Sequence, residues 1–327
     1  MQVPTRSRNC AVILLVAVTL VLYGRGLSNS RGVFGDSFHH LINGIFLFDA
    51  LHEPSRAMAD PWAYGTTYYQ HFPAISLGYY MPVFAMIEAG LMLIFGVSPV
   101  TGQLAVLLMA GLMTFFAFKW LRLHFEHWWA FGATIALIST PILVHWGQDI
   151  MLEIPALAFM LGSMWLFERL LDSDRPTWPA KQHTLMLLGV FVISVVATRR
   201  WSHLRSPAIL VSMALVAGAG GLVVATALLI GGDVVGHSVG FTAQHVADRF
   251  NVEQWTYYLQ LLPGIVGWPT LVLAMVGLWG SIRARDKGLW PALAWVAMFY
   301  LMHSFFKAQS QRYGCLWVPP FCLLAVM

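Results

Sequence analysis

The chain has 327 residues, of which 58% are hydrophobic and 10% charged, a balance that excludes a water-soluble globule with a charged surface. The formal net charge of +4 is carried by basic residues scattered at the ends of apolar runs, so it marks membrane topology and excludes a nucleic-acid footprint. Cys10, Cys315 and Cys322 lie in or beside apolar runs without metal-ligand spacing, which argues against a disulfide framework or a zinc site.

In chain order, spans are expected at Cys10–Tyr23, Thr101–Phe118, Trp128–Val144, Ile154–Phe167, Ser206–Ile230, Leu259–Gly280, Leu289–Phe305 and Tyr313–Met327. The fold class is therefore all-α, a polytopic transmembrane helical bundle of about eight spans plus juxtamembrane helices. No small-x-small cleavage site follows the first run, which is read as a retained span. Two further runs, Tyr79–Phe95 and His183–Thr198, are not counted as crossings. With both left uncrossed and the N-terminus inside, the cytoplasmic face holds Arg6, Arg8, Lys119, Arg122, Arg169, Arg175, Lys181, Arg199, Arg200, Arg205, Arg283, Arg285 and Lys287, most of the 19 basic residues. A ten-span alternative would separate Asp36 from Asp149 and Glu153 by the membrane. His183–Thr198 is expected to lie tilted, re-entrant or flat near the cytoplasmic side.

The polar residues of interest then share the outer side. Asp36, in FGDSFHHLINGIF, is read either as the N-cap of the helix that follows or as a general base at the membrane surface. His39 and His40 point about 100° apart on a helix and are read as packing histidines. Glu88 is expected near the headgroups, in a juxtamembrane helix. WGQDIMLEIPALAF sets Asp149 and Glu153 ahead of the fourth span, where either also serves as a helix-entry acid. KAQSQRY carries Lys307 and Arg312, snorkelling bases or a phosphate clamp. Paired carboxylates such as Asp36 and Glu153 suit a divalent cation, but no metal or other cofactor is assigned.

The order GDSFHH, HFPAISLGYYMPVF, IFGVSPVTGQL, MLEIPALAFMLGSMWLFERLL and KAQSQRYGCLWVPPF resembles the GT-C class of membrane glycosyltransferases, in the protein mannosyltransferase-like and aminoarabinose transferase-like branch. The resemblance implies one transmembrane domain over residues 1–327, with an outer loop at 24–100 carrying juxtamembrane helices and the C-terminal part of the family architecture missing. It implies an inverting glycosyltransferase that moves a sugar from a polyprenyl-phosphate carrier to a glycan, lipid or protein acceptor on the outer face of a bacterial plasma membrane. Asp36, Glu153 and, as an alternative, Asp149 fall at its catalytic positions. His71 stands where the family carries a basic phosphate ligand, with Lys307 and Arg312 as further donor-phosphate groups. A transporter or lipid flippase, or a non-catalytic membrane subunit, are the competing classes.

Overall fold

The computed structural model describes residues 5–28, 33, 35–75, 82–172, 251–286, 289–305 and 309–327, with isolated positions between 190 and 218. The described regular structure is helical throughout. Helices α1 (Thr5–Tyr23), α2 (Asp36–His52), α3 (Pro54–Ala59), α4 (Pro61–His71), α5 (Pro82–Phe95), α6 (Pro99–His124), α7 (His127–Ile138), α8 (Pro141–Trp146) and α9 (Glu153–Asp172) precede α10 (Val252–Val266), α11 (Trp268–Ala284), α12 (Leu289–Phe305) and α13 (Val318–Leu324). Short 3-10 turns, Gly24–Ser28 and Gln311–Trp317, follow α1 and precede α13.

Helix α6 is the axis of the bundle, packed against α9, α1, α5 and α7. Ser98 opens it: its Oγ accepts from the Thr101 amide at 3.1 Å, and Pro99 occupies the first turn, where its missing N–H costs nothing. At the other end Arg122 donates to the Phe125 carbonyl at 2.6 Å, beside the C-terminal carbonyls. Its buried face runs through Val106, Ala110, Met113, Ala117 and Trp120, at helical spacing. The small residues on this face permit close approach, which drives helix association in lipid where no hydrophobic effect separates the partners. Gly162 of α9 completes the fit: a Cβ there would stand 3.2 Å from the Phe116 ring.

Polar clamps tie the bundle together. The Thr19 and Thr114 hydroxyls meet at 2.7 Å, and Tyr23 donates to the Ile138 carbonyl at 3.1 Å. Buried Glu168 accepts from Trp120 Nε1 at 2.8 Å and lies 2.6 Å from His124 Nε2.

The protein is an all-α, polytopic membrane protein, but its helices are less regular than the hydropathy pattern suggests. Among the described residues two helices, Cys10–Leu27 and Pro99–His124, are long and apolar enough to cross a bilayer, or three if one bent pair is a single span. That pair replaces the continuous span expected at Leu259–Gly280: α10 and α11 meet at 108°. Gly267 makes the bend at φ 83°, a left-handed conformation suited to glycine, and Pro269 follows in the first turn of α11. The span expected at Trp128–Val144 is also broken, at Ser139-Thr140, because Pro141 cannot donate into a continuing helix. Tyr313–Met327 forms part of a 3-10 turn and the short α13, whose residues are all buried. That run is apolar because it lies inside protein. Apart from isolated positions, Ser206–Ile230 and His183–Thr198 fall outside the described residues.

Helix α5, at 14 residues, is about 21 Å long, too short to cross upright a hydrocarbon core of about 30 Å. Glu88 departs from its expected place near the headgroups. It is fully buried between α2 and α6, against Gly44 and Gly102, and among the described residues neither carboxyl oxygen has a hydrogen-bond partner.

Candidate active site

Three of the candidate residues meet. Asp36 begins α2, Glu153 begins α9, and Arg312 lies in the 3-10 turn ahead of α13. Gly35, with φ 58°, holds the N-cap position of α2 and makes no side-chain capping bond, so Asp36 does not cap its helix as one sequence reading had it. Its carboxylate accepts a hydrogen bond from Arg312 Nη1 instead. Arg312 Nε lies 3.4 Å from Glu153 Oε1, while the buried Glu153 Oε2 has no hydrogen-bond partner among the described residues. One guanidinium thus stands between the two carboxylates, in the space where the residue types alone would also suit a divalent cation. Among the described residues no group of three or more His, Cys, Asp or Glu is placed to hold a metal ion.

The turn carrying Arg312 is fixed from behind. The guanidinium lies over the Tyr313 ring at 5.2 Å, and Tyr313 stacks on His303 at 5.4 Å. Trp317 Nε1 donates to His303 Nδ1 at 3.0 Å, and Tyr258 stacks on Trp317 at 5.5 Å. Gln309 Nε2 donates to the Gln254 carbonyl at 2.7 Å, and Trp295 Nε1 to the Leu316 carbonyl at 3.0 Å. Six side chains, Tyr258 of α10, Trp295 and His303 of α12, Tyr313 and Trp317 of the turn and Gln309 just before it, therefore decide where Arg312 sits.

The environments of the two carboxyls push them apart. Partial burial works against the Asp36 carboxylate, but the hydrogen bond and charge of Arg312 outweigh it and hold the group below the usual carboxylate range. Burial raises the Glu153 carboxyl, and Arg312 offsets this only in part. The pair supplies an ionised, half-exposed base next to a buried acid that holds its proton more tightly, which is the way one site provides both roles. His40, on the next turn of α2, is pushed down to about 4 by burial, with Asp36 opposing and Arg312 adding to the shift. The neutral imidazole is a packing group, as the sequence suggested.

The other candidates are elsewhere. Asp149 lies in the turn before α9 and lines a small polar pocket with Ser37, Gln103 and Gln148. His71 ends α4, where its Nδ1 donates to the Thr67 carbonyl at 2.8 Å, and it lines a separate cleft with Asp49, Glu53, Asp60 and Arg56. That cleft carries three carboxylates and one guanidinium, and it is separate from the contact of Asp36, Glu153 and Arg312. Lys307 falls outside the described residues. Tyr313 and His303 were missed by sequence reasoning; Tyr313 adjoins Arg312, but His303 gives no signal within an apolar run.

Comparison with known proteins agrees with this architecture. Residues 73–204 match the family model of dolichyl-phosphate-mannose-protein mannosyltransferases. Among solved structures, ArnT from Cupriavidus metallidurans bound to undecaprenyl phosphate is similar in fold, with a TM-score of 0.62 at 18% sequence identity over 96% of this chain. The chain spans 59% of that protein's length. No curated protein sequence matches. The chain is thus similar to the dolichyl-phosphate-mannose-protein mannosyltransferases over residues 73–204 and to ArnT in fold over nearly its whole length.

Proposed function

We propose that the protein is an inverting glycosyltransferase that takes a sugar from a polyprenyl-phosphate carrier and passes it to a glycan, lipid or protein acceptor on the outer face of a bacterial plasma membrane. The observation that carries this reading is the contact of Asp36 and Glu153 with one guanidinium, which puts a base, a buried acid and a phosphate-binding cation in one place. The same contact argues against the ten-span alternative, since groups that meet at one guanidinium cannot be on opposite sides of a bilayer.

In this mechanism the donor phosphate competes with Asp36 for Arg312, whose planar fork suits phosphate oxygens. As the guanidinium turns to the phosphate, Asp36 loses the partner that depresses its basicity and becomes a stronger base. The acceptor hydroxyl attacks the anomeric carbon from the face opposite the phosphate. Its proton passes to Asp36 while the C–O bond to phosphate breaks, the electron pair leaving on the phosphate beside Arg312. Phosphate leaves readily, so no covalent enzyme intermediate is required. Glu153 helps seat the guanidinium throughout.

The test is turnover by the purified protein in lipid nanodiscs, with radiolabelled glycosyl undecaprenyl phosphates and an extract of bacterial membranes as acceptor. Transfer of label with release of undecaprenyl phosphate is expected. Labelled lipid moving between leaflets without cleavage would identify a flippase instead.

A further inference from the structure

We infer that the polar pocket at Asp149 is the subsite for the donor's sugar ring, with Asp149 reading its hydroxyl or amino substituents and taking no part in proton transfer. The inference rests on the proposed glycosyl-transfer reading and adds the place where the sugar lies.

The pocket is built from four separate parts of the chain: the 3-10 turn after α1, the start of α2, the start of α6 and the turn before α9. They are pressed together at Gly26, where an added Cβ would fall 2.7 Å from both Gln103 Nε2 and the Gln148 carbonyl oxygen. Both glutamines are fixed. Gln103 is buried and its Nε2 donates to the Gly147 carbonyl at 2.8 Å, while Gln148 Nε2 donates to the Leu22 carbonyl at 3.1 Å. A side-chain nitrogen facing a carbonyl must be the amide donor, so each residue keeps its oxygen as an acceptor. With the Asp149 carboxylate and the Ser37 hydroxyl, the polar part of the wall is rich in acceptors, and among the described residues no lysine or arginine lines it. Phosphate is thereby disfavoured, and a ring bearing O–H or N–H donors is favoured. Leu27, Val33 and Ile150 supply apolar surface for the C–H groups of such a ring.

A sugar ring reaches this site either as part of the donor or as the end of an acceptor glycan. The donor is favoured because Ser37 directly follows Asp36, whose carboxylate is bonded to the candidate phosphate ligand Arg312. A ring covalently joined to a phosphate held there must lie next to Asp36, and the pocket begins one residue away.

The experiment compares binding of undecaprenyl phosphate with that of its mannosyl, glucosyl and aminoarabinosyl esters, using wild-type protein and Asp149→Asn in nanodiscs. Wild type should bind its best ester roughly tenfold more tightly than the bare phosphate, as expected where a site hydrogen-bonds the distinguishing groups. Asp149→Asn should lose most of that gain and keep its affinity for undecaprenyl phosphate. Retention of the full gain, equal weakening of bare and glycosylated lipid, or no gain in wild type would each overturn the inference. If wild type binds none of the four lipids, the glycosyl-transfer reading itself fails.

Discussion

Asp36 and Arg312 stand 276 positions apart in the chain and are joined by a carboxylate–guanidinium hydrogen bond at the head of α2. The bond sets the ionisation of Asp36 and gives a prediction with a definite sign. Because its carboxyl is held low, the stability it contributes is present above the ordinary carboxylate range and is lost as pH falls through the depressed value. In Arg312→Gln the carboxyl returns upward, so that contribution is already missing at neutral pH and the acid-side loss due to Asp36 flattens. Thermal unfolding followed from pH 7 downward should show a lower starting stability and a shallower acid-side fall in Arg312→Gln and not in Arg56→Gln, whose Glu53 pair is exposed. Matching acid profiles in all three proteins would mean that the bond contributes nothing to Asp36.

Glu153 is the milder of the two carboxyls to replace. Burial works against its charged form, so Glu153→Gln keeps the shape and removes a charge that burial disfavours, losing only the pairing with Arg312 at 3.4 Å. We expect the variant to fold and to retain transfer within about tenfold of wild type, against a loss of about 100-fold or more for a missing general base. A deeper loss for Glu153→Gln than for Asp36→Asn would reverse the two roles.

Glu88 is costly to the fold. A buried carboxyl without a hydrogen-bond partner among the described residues forfeits its hydration and receives little in return. Glu88→Met, of similar length and without the polar atoms, should raise stability by about 1–2 kcal/mol. Gly44→Ala should lower it by about 1–3 kcal/mol, because the new methyl would stand 2.8 Å from Glu88 Cβ. Thermal melts in one detergent compare the three proteins directly.

Sidedness is checked with single cysteines in a Cys10→Ser background, since Cys10 is exposed and Cys315 and Cys322 are buried. An impermeant maleimide applied from outside should label Asp60→Cys and leave Glu126→Cys unlabelled until the membrane is opened. Both target positions are exposed. Labelling of Glu126→Cys from outside would move the candidate site away from the outer face.

Much of this site was legible because a charge at the end of an apolar run is conspicuous, and the distribution of lysine and arginine assigns it a side. Asp36, Glu153 and Arg312 were all found in that way. Their contact was not legible, since it depends on how α2, α9 and the last 3-10 turn pack. Glu88 was misjudged because a carboxylate in an apolar run suggests water nearby, whereas two glycines on neighbouring helices make room for it in the interior. The broken helices had signals in Pro141, Gly267 and Pro269. Hydropathy averaged over a window registers how apolar a run is and ignores whether its backbone can continue.

The most direct test of the account is single-turnover transfer from glycosyl undecaprenyl phosphate by wild type and by Asp36→Asn, the latter shown by its melting temperature to be folded. Asparagine keeps the size of the side chain and a hydrogen-bond acceptor for Arg312, and it cannot take a proton. The account predicts that donor binding persists and that transfer falls by about 100-fold or more. Transfer at the wild-type rate in Asp36→Asn would contradict it.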